Sequence, residues 1–206
     1  MLPAPLDDWY SIPYRLFGPW WQTLAPASLS QAEQGALFQL LAALLLALAL
    51  PLLALRRQGL SLADVGLARS HSHGRSVTII GLLLSVPLGF WLTLNTPSPW
   101  GSPLHEALGL LFIVPEHFLV FGVFGALLLP GGRAQWGTAG WFAVLAATVN
   151  FGLLHVGTPN ALELWSSFPL GLLFAIMTFA CGSIWPAVIA HASLNVVPIL
   201  LLPLVT

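Results

Sequence analysis

Residues 108–129 read LGLLFIVPEHFLVFGVFGALLL. A run of this length and apolarity crosses a bilayer core as a helix, which takes about 20 residues. Glu116 and His117 are its only ionisable side chains, and they stand side by side after Pro115. On insertion scales a carboxylate at the helix centre costs about 2.5–3.5 kcal/mol, so an ionisable group at that depth marks a functional site by default. This stretch sets the class, a helical membrane protein. It also sets the question of which other side chains reach Glu116.

Composition agrees with the class. The 206-residue chain is 57% hydrophobic and 6% charged, against about 25% charged in soluble domains. Its length suits an all-α polytopic transmembrane helical bundle of about six spans. A net charge of −1 argues against nucleic acid as a partner. The single cysteine, Cys181, excludes an intramolecular disulfide and any multi-cysteine metal site. Asp7 and Asp8 stand where a cleavable signal peptide would be positive, so none is expected.

Outward from the opening stretch, spans are expected at about 35–55, 77–94, 105–129, 138–156, 161–180 and 184–202. Turn clusters separate them, such as Asn95–Gly101, Pro130–Arg133 and Gly157–Asn160. Residues 1–34, rich in Pro, Trp and Tyr, read as an interfacial segment, and residues 35–206 as one transmembrane domain with a core at about 105–202. Arg56, Arg57, Arg69 and Arg75 flank and fill the first loop and place it in the cytoplasm; Arg133 agrees, and both termini then lie outside. His71 and His73 lie in a Ser/Gly-rich part of that loop and read as solvated rather than as a metal site.

Six strongly polar side chains lie deep in the later spans: Glu116, His117, Asn150, His155, His191 and Asn195. His191 and Asn195 are four apart and share a helix face, as do Phe151 and His155. Three helices thus bring polar groups toward one interior. Two readings follow, a packing network that clips helices together and a water-activating site. In the second, a carboxylate serves as general base and His or Asn donates to a developing oxyanion. No serine or cysteine nucleophile is needed. Zinc is an alternative, since Glu and His are acceptable ligands. Against it, no HExxH stretch is present, and neighbours such as Glu116 and His117 point about 100° apart on a helix.

Glu116, then Phe151-x-x-x-His155, then His191-x-x-x-Asn195, on successive spans, resembles the CPBP family: the CAAX prenyl proteases and bacteriocin-processing or immunity enzymes, also called Abi proteins. Gly182–Asn195 is similar to the family's last motif, and Val65-Gly66-Leu67 has a weaker likeness. The resemblance implies an intramembrane endopeptidase of the glutamic type. Glu116 would activate water, His155 would assist it, and His191 with Asn195 would stabilise the oxyanion. His117, Phe121, Phe151 and Asn150 would be supporting or substrate-contacting. The family's first motif is Glu-Glu-x-x-x-Arg; here His117 and Phe121 replace the second Glu and the Arg, which reads as one concerted swap.

The implied substrate is a membrane-embedded or membrane-anchored protein or peptide, lipidated or sorted, cut near its end. The implied setting is the bilayer of a bacterial cytoplasmic membrane. No cofactor is expected and no metal is assigned to the site. The alternatives are a non-catalytic immunity or scaffold protein of the same family, a zinc-dependent membrane protease, and a proton-coupled transporter. Depth is a further condition. The expected spans put Glu116 at mid-membrane, His155 near the outer end and His191 nearer the inner end, so one shared site demands tilted helices.

Overall fold

The computed structural model describes residues 11–68, 74–95, 103–129, 137–155 and 161–205, all of whose regular structure is helical. The His71/His73 pair and Arg133 lie outside the described residues. Helix α1 is Ser11–Leu24. Helix α2 runs Gln31–Arg57, with a π-helical turn at Leu44–Ala49. Helix α3 is Gly74–Asn95. Helix α4 is Pro103–His117, continued by a π-helical segment Phe118–Val123 and by Phe124–Leu128. Helices α5, α6 and α7 are Thr138–Leu154, Ala161–Cys181 and Trp185–Val205.

The six expected spans correspond to α2–α7. Helices α2, α3, α4 and α6 are long and apolar enough to cross a membrane, while α5 is a shorter apolar helix of 17 residues. The first span begins at Gln31 rather than Gly35. Ser30 accepts from the Glu33 N–H, and the Glu33 carboxylate accepts from the Ser30 N–H at 2.8 Å, a capping box that satisfies two otherwise orphaned donors. Hydropathy does not register such polar residues. Helix α1 folds back onto α2: the Trp21 indole donates to Gln34 O at 2.9 Å, and its ring meets Phe38 with centroids 5.6 Å apart.

The bundle is apolar on both its inner and outer surfaces. Ile79, Ile80, Leu83 and Leu84 on α3, Phe142 on α5 and Trp165 on α6 are exposed. An exposed apolar belt of this kind suits lipid. Inside, α3 lies along α7, α5 along α6, and α2 against α4, with α6 also touching α3 and α7. At the α3–α6 contact, Gly81 faces the thioether end of Met177.

The first loop is tied to the start of the last helix. Gly66 O accepts from Ile184 N at 2.9 Å, Ser183 Oγ donates to Ala68 O at 3.0 Å, and the Trp185 indole donates to Leu67 O at 3.1 Å. Gly66 adopts φ of 72°, and any Cβ there would sit 3.3 Å from Ile184 Cγ2. A side chain would therefore be both strained and crowded. Nearby, the Ser61 hydroxyl and its backbone N–H both donate to the Asp64 carboxylate, which they hold below its ordinary pKa.

Gly122 meets this loop. A Cβ on Gly122 would lie 2.7 Å from the Val65 carbonyl oxygen; it is Gly125 that faces a helix, through Phe179 of α6. Backbone held by several hydrogen bonds cannot yield as a flexible side chain can. Gly122→Ala is therefore expected to destabilise the protein by about 1–3 kcal/mol, read as a lower unfolding midpoint in detergent. Gly109→Ala, where the space is open, serves as the control.

Candidate active site

Pro115 and Glu116 lie at the middle of α4, both buried. Proline has no N–H to offer Leu111 O, which loosens the ladder before the acid. The π-helical segment begins at Phe118, immediately after the Glu–His pair. A wide turn of this type shifts the register of everything beyond it and often accompanies functional sites.

Both members of the pair reach α7. His117 Nε2 lies 2.9 Å from His191 Nδ1, and Glu116 Oε2 lies 3.8 Å from the same nitrogen. One ligand-type atom from each of Glu116, His117 and His191 falls within 4.8 Å of the others. The 100° divergence expected from helix geometry does not keep them apart, because His191 stands between the two directions. His117 is wholly buried and Glu116 is 5% exposed, so the acid sits out of water.

His155 caps the end of α5. Its Nδ1 lies 2.9 Å from Phe151 O. A carbonyl can only accept, so Nδ1 carries the hydrogen and the neutral ring keeps its lone pair on Nε2. His155 is thereby prepared as a base or acceptor. Phe151 connects it to the rest: the ring is 4.8 Å from His155, 5.8 Å edge-on from His191 and 6.1 Å from His117, centroid to centroid. Phe151 of α5 thus links His155 to the imidazoles of α4 and α7. Asn195 follows His191 by one turn and is half-buried; Asn150 precedes Phe151 and is also half-buried.

Phe121 meets His117 at 5.0 Å with the rings tilted by 55°, and stacks against Phe151 at 5.8 Å. Positions 117 and 121, where the family pattern has Glu and Arg, are therefore in direct contact. On its other side, Phe121 lines a recess with Asp64, Val65, Gly122, Thr178 and Gly182.

Sequence reasoning missed Phe174 of α6. Its ring stacks on His191 at 5.1 Å and 20°, and lies 5.1 Å from His117. One phenylalanine in an apolar helix carries no chemical signal. Only its position, wholly buried against two imidazoles, distinguishes it.

The donor set can also be judged against a metal. Two nitrogens on a tetrahedral zinc with bonds of 2.0–2.1 Å stand about 3.3 Å apart. The 2.9 Å between the two imidazoles is a hydrogen-bond length. A zinc-bound histidine normally donates its second N–H to a partner, and His117 Nδ1 has none among the described residues. As arranged, the rings suit a shared proton better than a shared metal.

No curated protein and no solved structure matches the chain. A protein-family model does match, over residues 15–197, and its description is type II CAAX prenyl endopeptidase Rce1-like. The matched segment takes in α4–α6, His155, His191 and Asn195 together. The chain therefore belongs to the Rce1-like family of type II CAAX prenyl endopeptidases.

Proposed function

We propose that this protein is an intramembrane endopeptidase of the glutamic type, cutting a peptide bond near the end of a membrane-anchored protein. The observation that carries the reading is the meeting of Glu116 and His191 inside the bundle, with His155 joined to them through Phe151. Glu116 takes a proton from a water, and the resulting hydroxide attacks the scissile carbonyl. His155, its Nε2 unprotonated, accepts from the same water and orients it. His191 and Asn195, one turn apart on α7, donate to the tetrahedral oxyanion. The proton held by Glu116 then goes to the leaving amine. Asn150 and Phe151 support this wall of the site, and no cofactor or metal takes part.

The family's description, a CAAX prenyl endopeptidase, supports this substrate class. A prenylated C-terminal peptide already lies in the bilayer, so binding it costs little extra ordering. The first loop is cytoplasmic and both termini lie outside on this reading, with α1 along the outer interface.

The test uses the purified full chain in liposomes, a prenylated CAAX-type peptide, and mass spectrometry of the products. Cleavage at one bond near the C-terminus, undiminished by a zinc chelator, is the expected result. Loss of cleavage with chelator and its return on adding zinc would turn Glu116, His117 and His191 into ligands and end the glutamic mechanism. A folded chain that cleaves no membrane-anchored peptide would favour the immunity or scaffold role.

A further inference from the structure

His117 occupies a position where the family pattern has glutamate, and its chemistry there differs in kind. A carboxylate can only accept a hydrogen bond from His191, whereas a neutral imidazole can donate one. The 2.9 Å contact joins His117 Nε2 to His191 Nδ1, so one ring donates and the other accepts. The second nitrogen of His117 decides which. His117 is wholly buried, and its Nδ1 has no hydrogen-bond partner among the described residues. Phe121, Phe151 and Phe174 surround the ring, with centroids 5.0, 6.1 and 5.1 Å away.

Buried N–H groups without an acceptor are rarer in proteins than under-satisfied acceptors. The hydrogen of His117 therefore belongs on Nε2, the nitrogen that has a partner. It follows that His191 Nδ1 accepts, and that the hydrogen of the neutral His191 ring sits on Nε2. His117 Nε2, at 2.9 Å, is within hydrogen-bond length of His191 Nδ1, whereas Glu116 Oε2, at 3.8 Å, is beyond it. Phe174, stacked flat on His191 at 20°, keeps the ring from rotating out of this arrangement.

We propose that His117 is a positioning residue that donates from Nε2 to His191 Nδ1, and so holds His191 as the Nε2–H tautomer whose free N–H serves the oxyanion. This rests on the protease reading, in which His191 is an oxyanion donor. The two imidazoles flanking Phe151 then carry opposite tautomers: His155 presents a lone pair and His191 presents a hydrogen. A water-activating site needs one of each.

The experiment has a spectroscopic arm and a kinetic arm. In the full chain labelled with ¹⁵N-histidine, His191 is assigned through the loss of its signals in His191→Gln. The expected spectrum has a protonated Nε2 and a bare, hydrogen-bonded Nδ1 on His191. His117→Leu is expected to leave His191 as a mixture of tautomers and to lower kcat about 10²-fold, the scale of losing one oxyanion donor, with KM little changed. His117→Gln, whose amide donates from nearly the same place, is expected to keep both the Nε2–H signature and kcat within about five-fold of wild type.

A wild-type His191 protonated on Nδ1 would overturn the proposal, whether or not His117→Leu folds. So would His117→Leu cleaving at the wild-type rate, or zinc copurifying with the wild type and absent from His117→Leu. The expected tautomer in a chain that cleaves no peptide would support the pairing and count against the protease reading alone.

Discussion

Replacing Glu116 by Gln is expected to lower turnover of a membrane-anchored peptide about 10³-fold, with helical content and unfolding midpoint close to wild type. Glutamine matches glutamate in shape and keeps one oxygen, so packing around the 5%-exposed side chain changes little. What it loses is the ability to take a proton from water. General-base catalysis contributes about 10²–10⁴-fold, and 10³-fold corresponds to about 4 kcal/mol of barrier. KM is expected to change far less, because the lost interaction exists only while the proton moves. Steady-state kinetics on liposome-reconstituted wild type and variant provide the check. Equal turnover would remove Glu116 from the chemistry and leave the cluster as a clip between α4 and α7. An immunity or scaffold protein would instead keep its cellular phenotype in the variant.

The second large effect concerns the departure at positions 117 and 121. His117→Glu alone is expected to destabilise the protein by about 3–5 kcal/mol, the usual consequence of leaving a buried charge without a partner. The new carboxylate would lie beside Glu116 and among Phe121, Phe151 and Phe174, with the neutral His191 imidazole as its hydrogen-bond donor but no arginine against it among the described residues. Adding Phe121→Arg to the same chain is expected to recover much of that loss. Residues four apart on a helix face each other, and the two side chains already touch, with ring centroids at 5.0 Å. Phe121→Arg by itself buries an unmatched cation and also destabilises. The measurement is a double-mutant cycle on unfolding midpoints in detergent, where a strongly favourable coupling is expected. Additive losses would mean that the two positions are independent and that the swap is not concerted.

Much of the architecture was legible in the sequence because lipid imposes it. Apolar runs of about 20 residues have few alternatives to a spanning helix, and α2, α3, α4 and α6 lie close to where those runs predict them. Their ends were less legible, since they depend on short polar contacts that a hydropathy count averages away, as at Ser30 and Glu33. The polar cluster was legible for the same reason as the spans: Glu116, His155 and His191 are costly where they are. The grouping of Glu116 and His117 with His191 was not, because it depends on how α4 packs against α7. The pairing of His117 with His191 was hidden by treating residues 116 and 117 as facing separate directions, when α7 lies between them. Gly122 shows a further limit. A glycine announces close approach without naming its neighbour, and the neighbour is a loop carbonyl some sixty residues earlier in the chain.

The clasp between the first loop and α7 bears on when the protein becomes what it is. Ser183 and Ala68 are 115 residues apart in sequence, and Trp185 and Leu67 are 118 apart. During synthesis, the loop that follows α2 is made early and has no partner until almost the whole chain has emerged. His191 arrives on that same final helix. A chain still being inserted, or one cut short before Ile184, lacks both the clasp and half of the His117–His191 pair. On the protease reading it carries Glu116 but cannot use it. On that reading, assembly order alone keeps nascent and truncated copies inert.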